Sequence, residues 1–214
     1  MARRTRRRSF SVGGGLNLER MFPEKRGVDY STLKMTPEGE YSITKRNDGK
    51  KLLQKMMSII GSTKRKHITD LTGNVGGDTI LFGLNFGRTD SIEIDNDNFA
   101  ALKHNVETFK LKNVKLHHGD STKLFNWKTD VLYMDPPWGG PDYKEKEAMD
   151  LFLGNERVDD WLADVLTKEW RPKFVFMKLP SNYNFERLKE LPNVISIHKF
   201  AIRGFYLVGI IIDI

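Results

Sequence analysis

The run Asp135-Pro136-Pro137-Trp138 suits one chemical task. Two prolines restrict the backbone and remove two N–H donors, so the carbonyls around them lack local partners and can face a ligand. Rigid acceptors of this kind suit an amine whose lone pair is conjugated with an aromatic ring. Holding both N–H bonds aims the lone pair at an electrophile, and the gain is chiefly orientation and proximity. Asp135 can accept a hydrogen bond from such an amine and take its proton during or after transfer. Trp138 can stack on a nucleobase, and tryptophan is the best aromatic partner if that base is cationic. The bland alternative is a rigid strand-end turn over a buried tryptophan.

A second constellation lies upstream. Asp70-Leu71-Thr72-Gly73-Asn74-Val75-Gly76-Gly77-Asp78 is a glycine-rich turn. It is not the GxGxxG of dinucleotide sites, and it has no lysine for a phosphate loop, which argues against nucleotide triphosphates. An acid about twenty residues on can hydrogen-bond both hydroxyls of a ribose. Asp95 is placed for this and is preferred to Glu93 of the same strand. Asp120, after Gly119, can accept from an adenine amino group. Asp95 or Asp120 taken singly reads equally well as a helix cap. Together with Asp70, Thr72, Gly73 and Gly76 they describe a site for an adenosine-bearing cofactor without phosphates, and S-adenosyl-L-methionine fits.

These residues need strands to carry them. Residues 67–71, 89–95, 113–120, 130–135 and 173–179 read as five strands, the first four ending near the residues above. Leu52, Leu53, Met56, Met57 and Ile60 recur at helical spacing, with Gly61 placed to stop the helix. Residues 97–111 and 156–170 read as helices. Residues 194–202 and 205–214 have no helix between them and should form an antiparallel pair at the sheet edge. The fold class is therefore α/β, a doubly wound Rossmann-like sheet with a C-terminal antiparallel hairpin. Ligands in such sheets bind at the carboxyl ends of the strands. Residues 47–214 form this domain, residues 16–46 a small N-terminal appendage, and residues 1–15 a disordered basic arm.

The chain has 214 residues and a net charge of +7. A basic balance favours a polyanionic partner, and the arm MARRTRRRSFSVGGG suits RNA phosphates, a nuclear address or an inert tail. The absence of cysteine excludes disulfides, cysteine–zinc sites and thiol nucleophiles. No apolar run is long enough for a membrane helix, and no signal-peptide core opens the chain. The expected location is intracellular, nuclear or cytoplasmic. His67, His104, His117, His118 and His198 show no convincing metal spacing, and no metal is expected. Trp127, Trp161 and Trp170 read as core, and Lys64-Arg65-Lys66 as a solvated turn opposite the site. Nothing in the sequence points to an oligomeric state.

Asp-Pro-Pro-Trp resembles the fourth motif of class I methyltransferases acting on adenine N6, cytosine N4 or guanine N2. The longer string Pro136-Pro137-Trp138-Gly139-Gly140-Pro141-Asp142-Tyr143 resembles the trimethylguanosine synthase family, which methylates the N2 amine of 7-methylguanosine RNA caps. Tyr41-Ser42-Ile43-Thr44 resembles that family's aromatic-Ser-x-Thr segment, with Lys45 where the family has proline. Leu179-Pro180-Ser181-Asn182 resembles its Leu-Pro-Arg-Asn. The resemblance covers about residues 30–185. It implies that Trp138 stacks on the cap guanine, Asp70 lies by the cofactor's methionine part, Asp95 on its ribose and Asp120 near its adenine. Tyr143, Lys144 and Asn182 would help to hold the cap. Two departures matter: the family usually has serine where this chain has Asp135, and Ser181 replaces an arginine that could contact cap phosphates. Lys144, Lys178 and Arg203 are positional candidates for the replacement cation. The rival readings are an N6-adenine methyltransferase, favoured by Asp135, and a catalytically silent RNA-binding copy of the fold.

Overall fold

The computed structural model describes residues 15–140 and 148–214. Most of the basic arm, together with Tyr143 and Lys144, lies outside the described residues.

The chain runs α1 (Leu18–Met21), α2 (Pro37–Ser42), α3 (Arg46–Ile60), β1 (His67–Asp70), α4 (Gly77–Asn85), β2 (Arg88–Glu93), α5 (Asn96–Thr108), β3 (Val114–His118) and α6 (Ser121–Leu124). It continues through β4 (Val131–Met134), β5 (Phe152–Leu153), β6 (Glu156–Arg157), α7 (Val158–Thr167), β7 (Phe174–Leu179), β8 (Val194–Ile202) and β9 (Phe205–Ile212). The main sheet has the order β3-β2-β1-β4-β7-β9-β8. The first five of these strands are parallel; β9 runs antiparallel between β7 and β8. The hairpin therefore inserts its second strand next to β7 and leaves β8 at the edge.

Both faces of the parallel sheet are covered, which is why β4 is a continuous apolar run, Val-Leu-Tyr-Met, with every residue buried. Alternation divides it. Leu132 and Met134 join Val175, Met177 and the apolar stripe of α7 on one face. Val131 and Tyr133 join Phe174, Phe176 and the Leu52–Met56–Ile60 stripe of α3 on the other. Gly61 ends α3 at φ 75°, a left-handed-side value that glycine adopts at little cost. Trp161 is buried, and Trp127 and Trp170 pack partly buried on the α7 side.

The segment before α3 does not stand apart. Leu18, Met21, Phe22, Leu33, Met35 and Ile43 share one cluster with Val75, Ile80, Leu102 and Phe109. Asn105 of α5 sews it down, donating to the carbonyls of Lys34 and Val75 and accepting from the Lys34 N–H. Among the described residues no helix is long and apolar enough to cross a membrane.

Candidate active site

The strand order reverses between β1 and β4, and a crevice follows from that reversal. A cavity of about 610 Å³ opens at the carboxyl ends of the strands. Its wall includes Thr72 and Gly73 after β1, Glu93 and Asp95 at the end of β2, Asp120 after β3, and Asp135, Pro136 and Trp138 after β4. The N-terminal segment supplies the opposite wall through Tyr41, Ser42, Ile43 and Thr44.

Gly73 lies where a side chain has no room. A Cβ there would sit 2.6 Å from Ser91 Oγ and 2.8 Å from Leu102 Cδ2. Its N–H donates to the Ile92 carbonyl, so the turn is pressed against β2. Thr72 ties this turn to the proline motif, its hydroxyl accepting from the Asp135 N–H at 2.8 Å.

Two residues expected to touch the cofactor stand behind the wall. Asp70 is fully buried and bonds to Thr79 Oγ1 at 2.6 Å and to the Thr72 N–H at 3.1 Å. As the last residue of β1 it turns toward α4 rather than the cavity, and it is absent from the lining. Burial pushes its carboxyl up to about 7, against the lowering effect of the Thr79 hydrogen bond. Gly76 also lies outside the lining; it starts α4 at φ 99°, where a Cβ would meet Leu102 Cδ1 at 3.0 Å.

The preference for Asp95 over Glu93 changes as well. β2 ends at Glu93, two residues earlier than the sequence suggested, and residues two apart share a strand face, so alternation never set Asp95 apart from Glu93. Glu93 is buried, lines the cavity, and accepts from the N–H groups of Asn74 and Asp95 at 2.6 and 2.7 Å. Burial raises its pKa, opposed by those two bonds. Asp95 also lines the cavity, but one of its oxygens, Oδ1, caps α5 through the Asp97 and Asn98 N–H groups. Asp120 likewise caps α6 while facing Gly154, where a Cβ would lie 2.8 Å from its Oδ2.

Asn182 does not line the cavity among the described residues; its carbonyl accepts from the Met149 N–H. Lys178, one candidate for phosphate contact, is buried and committed. Its ammonium donates to Asp135 Oδ2 at 2.6 Å and to Thr44 Oγ1 at 3.0 Å. Thr44 in turn donates to Asp78 Oδ2 at 2.8 Å, as does the Tyr133 hydroxyl. A connected chain, Asp135–Lys178–Thr44–Asp78, thus forms the cavity floor, with Tyr133 buried behind it. Sequence reasoning missed Asp78 and Thr44 as members of it. The available signal was a lone lysine inside the apolar run Phe-Val-Phe-Met-Lys-Leu, because a buried lysine requires a partner. Trp138 is half-buried in the wall, packed against the cores of both sheet faces, with the Lys178 ammonium 5.6 Å from its ring centre.

A model of the RNA cap guanine-N2 methyltransferase family matches residues 65–207. The chain belongs to that family. The RNA cap guanine-N2 methyltransferase match runs from just before β1 to the start of β9 and so takes in the whole floor except Thr44. The chain is 31% identical over 143 residues to an uncharacterised protein of Acanthamoeba polyphaga mimivirus, covering 65% of this chain and 56% of the relative. It is 30% identical over 151 residues to the trimethylguanosine synthase of Schizosaccharomyces pombe, covering 66% of this chain and 60% of the relative. The chain thus spans somewhat more than half the length of these relatives. Among solved structures, the T. thermophilus 16S rRNA N2 G1207 methyltransferase, in complex with AdoMet and guanosine, superposes with a TM-score of 0.61. At 14% identity, over 78% of this chain and 43% of that one, it supports the fold.

Proposed function

We propose that the protein transfers methyl from S-adenosyl-L-methionine to the exocyclic N2 amine of a 7-methylguanosine RNA cap. The observation that carries this reading is the convergence, in one cavity, of the Asp135–Pro136–Trp138 turn with the carboxylates Glu93, Asp95 and Asp120.

The donor set fits the cofactor. Glu93 and Asp95 can accept from ribose hydroxyls, and Asp120 from an adenine amino group. Ile94, exposed beside them in the wall, offers an apolar face to a flat ring. Phosphates would be repelled by the same carboxylates. At the floor, Lys178 pairs with Asp135 directly and reaches Asp78 only through Thr44, so two carboxyl groups stand against one ammonium, a balance that suits a cationic sulfonium. S-adenosylmethionine supplies an electrophilic methyl group when bound.

The chain's own residues then position the acceptor. The Pro136 carbonyl and Asp135 hold the amine's N–H bonds, directing its lone pair at the methyl carbon. Asp135 would accept the proton that the amine gives up on methylation. Trp138 stacks on the base, favouring the positive charge of 7-methylguanine. With Lys178 committed to Asp135, the exposed Arg203 and Lys45 in the cavity wall are the cations for the cap phosphates. Asp135 by itself favours a second reading, an N6-adenine enzyme, which the family match opposes.

The test is methyl transfer from labelled cofactor to m7GpppA, unmethylated GpppA and an adenine-rich uncapped RNA. Label is expected on m7GpppA alone. Trp138→Ala should lower its transfer by roughly 10- to 100-fold, the scale of one lost base–aromatic stack. Label on the uncapped RNA would favour the adenine enzyme, and label on none a binding-only protein.

A further inference from the structure

Lys178 is unusual for its place. It is the one charged residue of β7, a strand otherwise apolar and buried in the sheet. Only 7% of its side chain is exposed. A buried ammonium costs several kcal/mol without partners, so an apolar residue would be the cheaper occupant if packing were the only requirement. Its partner, moreover, is the first residue of the proline motif. Asp135 keeps 20% of its side chain exposed, and Lys178 engages its Oδ2. Oδ1 is left to accept from a ligand amine.

We infer that Lys178 and Asp135 form one functional unit, in which Lys178 is the positioning residue that holds the Asp135 carboxylate ionised and aimed. This rests on the methyltransferase reading above. It also accounts for the acid at position 135 in a family whose resemblance leads one to expect serine: a serine needs no buried counter-charge, whereas a carboxylate does.

The surroundings make the lysine necessary. Asp78 of α4 lines the same cavity, Asp70 of β1 lies buried behind it, and Tyr133 of β4 donates its hydroxyl to Asp78. Burial pushes the Asp135 carboxyl up to about 6, Asp78 adds to that push, and Lys178 pulls it back. Burial disfavours the charge on Lys178, but Asp135, Asp78 and, from α3, Asp48 outweigh it and hold the ammonium above its ordinary range. Removing Lys178 would leave carboxylates facing one another with no cation between them. One of them would then take up a proton.

The experiment compares the full chain with Lys178→Met, Asp135→Ser and the double variant. Carboxyl-labelled aspartate is titrated by NMR, with the Asp135 signal assigned from Asp135→Asn. Lys178→Met should raise the Asp135 titration by at least about one unit, the usual effect of losing an adjacent opposite charge. Its kcat at neutral pH should fall at least about tenfold and recover as pH rises, with the KM for S-adenosylmethionine little changed. The double variant should be no slower than Lys178→Met and should lose that pH dependence, since a serine at 135 requires no lysine. An Asp135 signal unmoved in Lys178→Met, or losses that simply multiply in the double variant, would overturn the proposal. Thermal melting and S-adenosylhomocysteine binding report whether each variant is folded. If the wild type methylates no cap, the functional reading fails, and the NMR titration alone decides the pair.

Discussion

At Gly73 the backbone passes so close to β2 that even a methyl group collides with Ser91 and Leu102. Gly73→Ala should therefore displace the glycine turn and lower S-adenosylhomocysteine affinity by about tenfold or more, read by calorimetry, because a shifted turn no longer presents the wall. Wild-type affinity in this variant would mean that the turn yields without moving the site. Asp135 carries a second residue-level prediction. With its carboxyl at about 6, kcat/KM should rise with pH through that value as the acceptor ionises, and then level off. A profile flat from pH 5 to 8 would remove the ionised carboxylate from the chemistry. The motif residues Asp135, Pro136 and Trp138 were legible from sequence because their chemistry is carried by type and adjacency. Glu93 was passed over because Asp95 stood at the expected strand end, whereas β2 stops at Glu93 and both residues line the cavity. The Lys178–Thr44–Asp78 bridge was not legible, since it joins residues that are 134 and 34 positions apart in the chain.

Elements whose periodicity is local were read well. The β8–β9 hairpin and the α3 stripe ending at Gly61 lie where the pattern put them. The segment before α3 was read as an appendage because its turns at Pro23, Gly27 and Pro37 break any period. Its apolar residues, spread over short helices and extended chain, are nonetheless buried against α4 and α5. Phe22 is fully buried against Phe109, 6.5 Å between ring centres. Phe22→Ala should cost about 3–5 kcal/mol, read by denaturant unfolding as one cooperative transition. A separate early transition, with the rest of the protein undisturbed, would make the segment an appendage after all. Thr44 sits at the end of this segment and bridges Lys178 to Asp78, so the segment both closes the cavity and completes its floor.

Over the whole molecule, charge is distributed by function. Asp90, in the middle of β2 and outside the cavity lining, is buried yet held well below its ordinary range. Burial pushes it up, but bonds to His67, His117 and Arg88 outweigh that push. Asp135 in the cavity wall and Asp70 buried behind it are displaced upward, to about 6 and about 7. A carboxyl whose folded pKa exceeds its unfolded value binds protons more tightly when folded, so stability falls as pH rises from the unfolded toward the folded pKa. Melting temperature should therefore decline from about pH 4 to about pH 7, and Asp70→Asn should flatten part of that slope. A melting temperature that rises over this interval would contradict these ionisation states. Identifying the methylated atom tests the proposed cap N2 transfer. Capped RNA methylated by the protein is digested to nucleosides, which are resolved by chromatography and mass spectrometry. The account predicts guanosine methylated at both N2 and N7, with no methylated adenosine. N6-methyladenosine, with the cap guanine unchanged, would contradict it.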